Sequence, residues 1–460
     1  MPSLPPEPRN ADPRDGAEYR FRTNGTACEW AESYHPGGYH PVHLGDIFKD
    51  RYRVIRKLGY GEDSTVWLAV DDACKSFVAM KIEISNLDKE DVRKEVELYQ
   101  TLAEPGRRSR SDCIMKLQDY FEHEGPNGHH PCFVIEPMGP NVNAMLKLCP
   151  EFQVGEPWER RFTKTFAKRV LRDTLLGLES LHSEGIIHGD LHPGNILMNI
   201  RPIEASENSI QSLEQLPSQG SPVKRLDGMN DPWAPSYLLQ PESLYEYTSM
   251  DTNPLVKITD LGAVFFEDHP PASTVTPVAL RAPEIILGLP FGRGIDIWCF
   301  GCLIFELLTG QQLFVRLEPL EGDEFDEETN DEHLIQFVEV LGPLPVTLSK
   351  QWRRGDKYFG PDGKRLQPAN EEEEGEGEGD SGEDLPDAES LPSDASSSSV
   401  PLALADTFDP LEKQFGDEKI AEIEPSEERE IIDLLRWVLQ YDVEKRPSAT
   451  EILGHPWFKL

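Results

Sequence analysis

His188-Gly189-Asp190-Leu191-His192-Pro193-Gly194-Asn195, followed sixty-five residues beyond Asn195 by Asp260-Leu261-Gly262, decides the reading of this 460-residue chain. These residue types at this spacing suit phosphoryl transfer: one carboxylate orients an acceptor hydroxyl, while a second carboxylate and an amide hold a metal among phosphates. Asp190 stands five residues before Asn195, so a single loop can aim the acid at the acceptor while the amide turns back toward the metal. Asp260 then holds the metal's other side. Small-molecule phosphotransferases also carry glycine and histidine in such loops, so the flanking sequence has to choose between classes.

Upstream, Gly59-Tyr60-Gly61-Glu62-Asp63-Ser64-Thr65-Val66 joins two β-branched and aromatic runs over 52–58 and 64–70. Glycines there let the backbone approach phosphate oxygens and Val66 can cover an adenine, although Ser64 stands where a third glycine is usual and a plain hairpin turn is the competing reading. Fifteen residues after Val66, Lys81 in the strand pattern 77–82 supplies a cation for the α and β phosphates. The helical stretch that follows, over about 87–102 with Val92, Val96 and Tyr99 on one face, carries Glu95, which can fix Lys81 through an ion pair, with Glu97 as its rival. Downstream come Ala282-Pro283-Glu284, Asp296-x-Trp298-x-x-Gly301 and Arg446 in Asp442-Val-Glu-Lys-Arg-Pro-Ser. Arg446 can pair with Glu284, and Asp296 can brace the catalytic loop. The joint order and spacing of all these pieces make coincidence a poor account and weaken the claim of small-molecule phosphotransferases.

The chain carries 83 acids against 45 bases, a formal charge of −38, and the nine acids within 371–384 leave about −29 elsewhere. Such a surface repels phosphates, which argues against nucleic acid as a direct ligand and for a basic protein partner. Seven cysteines without a paired framework point to a reducing compartment. Cys299 and Cys302 lie in the apolar run 295–308, where helix packing is favoured over a zinc site. That run is too short and too interrupted by acids to cross a membrane, and the first residues lack the basic and apolar regions of a signal peptide. The expectation is an intracellular monomer with no membrane contact, in cytoplasm and nucleus, with no sequence feature to choose between the two.

Organisation reads as α+β. Residues 1–30 form a flexible tail by composition; 31–139 form a small lobe of antiparallel strands with one main helix; 140–460 form a larger helical lobe. Further strands are expected around 114–121 and 132–136, and further helices over 158–183, 295–309 and 428–440. Two stretches interrupt the pattern: a polar spacer at about 201–253, between two short strands, and an acidic, serine-rich insert at about 366–403 that cannot bury a core and is expected to be disordered.

With these pieces in place the chain resembles the eukaryotic protein kinases, and more narrowly the SR-protein kinase family. Tyr34-His-Pro-Gly-Gly-Tyr-His-Pro-Val-His-Leu-Gly-Asp46, Arg51-Tyr-Arg-Val-Ile-Arg-Lys-Leu-Gly59 and Ser64-Thr-Val-Trp-Leu68 are similar to that family's lead into its small lobe, and the spacer and Arg281 also resemble it. The resemblance covers roughly 34–460 apart from the two inserts. It implies a bilobal protein kinase fold, ATP and Mg²⁺ as cofactors, and phosphorylation of serines in Arg-Ser-rich proteins. It further implies nucleotide contacts from Leu58, Gly59, Gly61, Val66, Ala79, Lys81, Glu136 and Met138, with Ile135 beside the adenine pocket. Catalytic work falls to Asp190, Lys81, Glu95 and His192, metal binding to Asn195 and Asp260, and structural bracing to Glu284, Arg446, Asp296 and Arg281. Glu332 and Glu339, seven apart and so on one helix face, match the family's docking positions for arginine; two solvated surface acids are the competing reading. An ATP-binding pseudokinase or scaffold is the main alternative function.

Three positions depart from the family. His192 stands where a lysine usually contacts the transferring phosphate, and Pro277 where a threonine usually orients the loop, with Thr276 one residue off. Both are expected to reduce or redirect activity, because an imidazole neutralises developing charge less reliably than an ammonium. Gly189 replaces an arginine that receives an activating phosphate in many kinases, which implies activity without phosphorylation at Ser273, Thr274 or Thr276.

Overall fold

The computed structural model describes residues 19–22, 27–103, 111–156, 159–315, 325–360, 363–366 and 407–459. In the small lobe, β1 (Ile47–Phe48), β2 (Tyr52–Tyr60), β3 (Ser64–Asp71), β4 (Ser76–Glu83), β5 (Leu117–Gly125) and β6 (Gly128–Ile135) form one antiparallel sheet in the order β1-β2-β3-β4-β6-β5, with α1 (Lys89–Ala103) between β4 and β5 in the chain. The larger lobe opens with α2 (Val142–Leu148) and α3 (Lys164–Ser183), then β7 (Ile186–Ile187) and β8 (Ile196–Met198). An excursion holding α4 (Glu207–Leu213), β9 (Ser221–Pro222) and β10 (Tyr237–Leu238) returns to β11 (Val256–Ile258) and β12 (Phe265–Phe266). The rest is helical: α5 (Pro283–Ile286), α6 (Gly294–Thr309), α7 (Phe325–Leu341), α8 (Val346–Ser349), α9 (Leu411–Glu418), α10 (Pro425–Val438) and α11 (Ala449–Leu453).

Thr163 caps α3 by accepting the Phe166 N–H, so the helix starts later than residue 158, the expected start; Trp158 itself lies outside the described residues. α3 and α6 carry the core of the large lobe, and α6 is apolar nearly all round and almost wholly buried. Cys299 and Cys302 sit inside α6 as packing residues, and all seven cysteines are free. Among the described residues no helix is long and apolar enough to cross a membrane.

Side chains alternate along β3 with the pleat. Trp67 and Ala69 pack with Val54, Val78 and Met80, while Leu68 and Val70 pack with Ile55 and Phe77. An antiparallel sheet can leave one face to water, yet β3 is covered on both. Residues of the expected spacer account for this. Leu213 and Leu244 join the Ile55 face, Leu239 joins the Trp67 face, and Leu238 packs with Phe21, Tyr34 and Tyr39. The stretch 201–253 is therefore a packed cover of the small lobe rather than a mere spacer.

The expected tail also needs a correction, because residues 19–22 and 27–30 are not loose. Phe21 is buried and bridges Arg225, while Arg20 pairs with Glu32 and Asp231. Glu29 forms a fully buried ion pair with Lys57 of β2 and accepts the Tyr34 hydroxyl. Arg225, Asp231 and Lys57 come from farther along the chain, which local periodicity does not report. Residues 1–18 and the acidic insert beyond 366 lie outside the described residues.

Candidate active site

β8 and β11 pair antiparallel with Ile196 opposite Ile258. That register puts Asn195, just before β8, and Asp260, two residues past β11, at the same end of a two-stranded ladder. Thr259 seals the end by donating its N–H and its hydroxyl to the Asn195 carbonyl at 2.9 and 3.1 Å. The excursion leaves from and returns to this hairpin, so its bulk does not separate the two candidate metal ligands.

The catalytic loop hangs on Asp296 of α6. Asp296 Oδ2 accepts the His188 N–H at 2.8 Å and His182 Nε2–H at 2.8 Å, while Oδ1 accepts the Gly189 N–H at 2.9 Å. Burial opposes its charge, but the His182 hydrogen bond and the nearby imidazoles outweigh it and hold the carboxyl below its usual range. His188 donates from Nε2 to the Thr259 carbonyl and accepts the Asp190 N–H on Nδ1, which fixes its tautomer. Gly189 has φ +76°, and a Cβ there would meet the Ala263 carbonyl at 2.9 Å, so the arginine that many kinases carry before the catalytic Asp does not fit this backbone.

Asn195 Nδ2 donates to Asp190 Oδ2 at 2.9 Å and to the Asp190 carbonyl at 3.0 Å. Asp190 Oδ1 is buried and has no hydrogen-bond partner. His192 accepts the Gly194 N–H on Nδ1 at 3.0 Å, which leaves the ring proton on Nε2, 3.5 Å from Asp190 Oδ2. His192 therefore turns its Nε2 toward the acid.

Across the cleft, Lys81 Nζ lies 3.0 Å from Glu83 and 3.1 Å from Asp260. Burial works against its charge, but Asp260, Glu95 and Glu83 together hold the ammonium well above its usual pKa. The direct Lys81–Glu95 pair expected from sequence is not formed; Glu83, two residues along the same strand face, takes that place. Glu95 is nonetheless buried in the cleft, where desolvation pushes its carboxyl up, whereas Glu97 is exposed and pairs with Arg93. Lys81 in turn holds the Asp260 carboxyl down. Asp260 has φ +58°, a left-handed backbone uncommon outside glycine and frequent at functional sites.

A cleft of about 450 Å³ brings together Leu58, Gly59, Gly61, Val66, Ala79, Lys81, Ile135, Glu136 and Met138 with Glu95, Asn195 and Asp260. Ser243 and Leu244 of the excursion also line it, which no local motif announces. Glu306 is a further residue that the motifs miss: burial raises its carboxyl to about 7, with His192 close enough to lower it.

The bracing residues meet as well. Arg446 makes a bidentate, buried pair with Glu284 at 2.6 and 2.8 Å. Arg281 Nε donates to the Thr276 carbonyl at 3.1 Å, and Thr276, fully buried, donates its hydroxyl to the Gly189 carbonyl at 2.6 Å. The docking acids are less open than expected. Glu332 is buried, and desolvation with Glu328 nearby raises it to about 7. Glu339 already accepts Arg365 at 3.0 Å and the Phe408 N–H at 2.8 Å.

The chain matches the protein kinase domain family over residues 52–205 and 244–458. It is 34% identical to the serine/threonine-protein kinase SRPK of Physarum polycephalum, over 73% of this chain and 77% of the relative. It is 30% identical to the protein kinase dsk1 of Schizosaccharomyces pombe, over 72% and 73%, and 24% identical to the human SRSF protein kinase 3, over 71% and 78%. A crystal structure of another kinase domain superposes with a TM-score of 0.59 at 22% identity, covering 92% of this chain and 99% of that one, and so shares the fold. The chain belongs to the protein kinase domain family and, within it, to the SRPK-like serine/threonine kinases.

Proposed function

We propose that this kinase moves the γ-phosphoryl group of ATP, held with Mg²⁺, to serines in Arg-Ser-rich proteins. The observation that carries the reading is the meeting of Asn195, Lys81 and Asp260 in the cleft, with Asp190 hydrogen-bonded to Asn195 beside them. Asp190 is oriented by the Asn195 amide, and its carboxylate suits the proton of a substrate hydroxyl. As the serine oxygen bonds to phosphorus and the bond to the ADP oxygen breaks, that proton passes to Asp190. Lys81 supports the α and β phosphates, and His192 steadies the transferring group by hydrogen bonding from Nε2. Asn195 and Asp260 offer hard oxygen donors of the kind Mg²⁺ takes, and the metal would neutralise charge on the phosphates.

The substrate class rests on three supports. Relatives are named SRPK and SRSF protein kinase, the chain carries a charge of −38, and buried or half-buried acids such as Glu306 and Glu332 prefer a cationic neighbour. Radiolabel transfer to an Arg-Ser repeat peptide and a Lys-Ser control tests it. Transfer restricted to the Arg-Ser peptide is expected; equal transfer to both removes the arginine preference.

A further inference from the structure

We propose that Tyr39 is a positioning residue of the nucleotide site, pinning the tip of the β2–β3 hairpin so that the glycine-rich turn is already set for phosphates. The inference rests on the reading of the cleft as the ATP site.

Tyr39 precedes the sheet, yet its hydroxyl reaches the turn. Oη donates to the Gly61 carbonyl and also lies 2.8 Å from the Glu62 carbonyl, so one proton is shared between two consecutive carbonyls. Gly61, Glu62 and Asp63 are all exposed, whereas Tyr39 is only 5% exposed. An exposed tip is thus tied to a buried side chain. The turn closes on itself through Gly61 N–H to the Ser64 carbonyl at 2.8 Å, and Ile84 N–H reaches the Asp63 carbonyl at 2.8 Å. Those bonds shape the hairpin and tie it to the end of β4; Tyr39 ties it to a different support.

That support is itself cross-linked by hydrogen bonds. The Tyr39 carbonyl accepts Asn127 Nδ2 from the β5–β6 turn, and Asn127 also reaches the Trp233 carbonyl at 2.8 Å and accepts the Gly37 N–H at 2.8 Å. The Tyr39 ring meets Tyr34 edge-on at 5.5 Å, and Tyr34 donates to Glu29, the carboxylate that neutralises Lys57. Lys57 immediately precedes Leu58, which lines the cleft. One segment, residues 29–39, therefore holds β2 both where it enters the cleft and beyond, at the tip of its turn. Burial raises the Tyr39 hydroxyl to about 12, so it remains a donor at neutral pH. A turn fixed before binding does not have to be ordered by the phosphates, which improves affinity for the phosphate-bearing ligand only.

Tyr39→Phe keeps the ring on Tyr34 and removes the donor alone. Calorimetric binding of ATP and of adenosine is compared in wild type and variant, with the KM for ATP and kcat. The proposal expects ATP binding weakened about threefold to tenfold, the scale of one hydrogen bond, with adenosine binding unchanged. KM for ATP rises in step and kcat at saturating ATP stays within about twofold. Equal loss for ATP and adenosine, or no loss for either, overturns it, since a packing role would not discriminate by phosphate. A wild-type protein that fails to bind ATP overturns the cleft assignment itself and is recognised separately.

Discussion

Thr276 donates its hydroxyl to the main-chain oxygen of Gly189 at 2.6 Å, which ties the substrate-side segment to the catalytic loop. Thr274 reinforces the contact by accepting the Thr276 N–H at 2.9 Å. The departure at Pro277 is therefore compensated from the neighbouring position.

Removing that hydroxyl separates bracing from packing. Thr276→Val should lower kcat about tenfold and stability by about 1–2 kcal/mol, because a buried carbonyl loses its best donor. Thr276→Ser should restore most of kcat. Steady-state kinetics and chemical denaturation check both, and a valine variant with wild-type kcat would remove Thr276 from the account.

Glu95 and Glu97 are distinguished by burial. Glu95→Gln should reduce kcat on the order of 100-fold, since the field that keeps Lys81 charged and directed is weakened. Glu97→Gln, on an exposed residue paired with Arg93, should change kcat less than about twofold. The opposite ranking in a kinetic comparison would show that the wrong glutamate has been placed opposite Lys81.

How much of this was legible in the sequence follows from the range of the forces involved. β2, β3, β4 and α1 announce themselves by period, and Lys81, Asp190, Asn195 and Asp260 by local motif. The excursion at 201–253 was not legible as a cover, because its apolar contacts are scattered single leucines. Leu213, Leu239 and Leu244 find partners in strands more than 100 residues earlier. Glu83 was available to a period-two reading, being on the same strand face as Lys81, yet nothing local says that it takes the ammonium in preference to Glu95. The Glu339–Arg365 pair depends on tertiary closure and has no local signature at all.

That pair makes docking a competition. A substrate arginine that binds Glu339 has to displace Arg365, so Arg365→Ala should tighten an Arg-Ser peptide about threefold while Glu339→Ala weakens it. Fluorescence anisotropy with a labelled peptide measures both. If affinity is the same in all three proteins, arginine recognition lies away from Glu339.

His40 predicts an acid sensitivity of the small lobe. Its ring is buried against His123 at 4.6 Å and His130 at 5.0 Å, and burial, with the fields of His123, His130 and His43, lowers its pKa to about 3. The folded protein keeps the ring neutral while the unfolded chain takes up a proton below about pH 6.5, so the unfolded state binds more protons in that window. Stability is fully present above about 6.5 and falls toward 3, by at most about 1.4 kcal/mol per pH unit from this group. Denaturation of wild type and His40→Phe at pH 7.5 and 5.5 measures the difference. The variant should lose less stability on acidification, and an identical pH response would contradict the assignment.

The central claim is phosphoryl transfer from ATP to a serine whose proton is taken by Asp190, the carboxylate oriented by Asn195. Its most direct test is radiolabel transfer from ATP and Mg²⁺ to an Arg-Ser peptide by wild type and Asp190→Asn, with ATP binding measured alongside. The account predicts transfer by the wild type, a loss of about 100-fold or more in the variant, and unchanged ATP affinity. Transfer that survives Asp190→Asn, or a wild type that binds ATP and transfers nothing to the peptide, would contradict it.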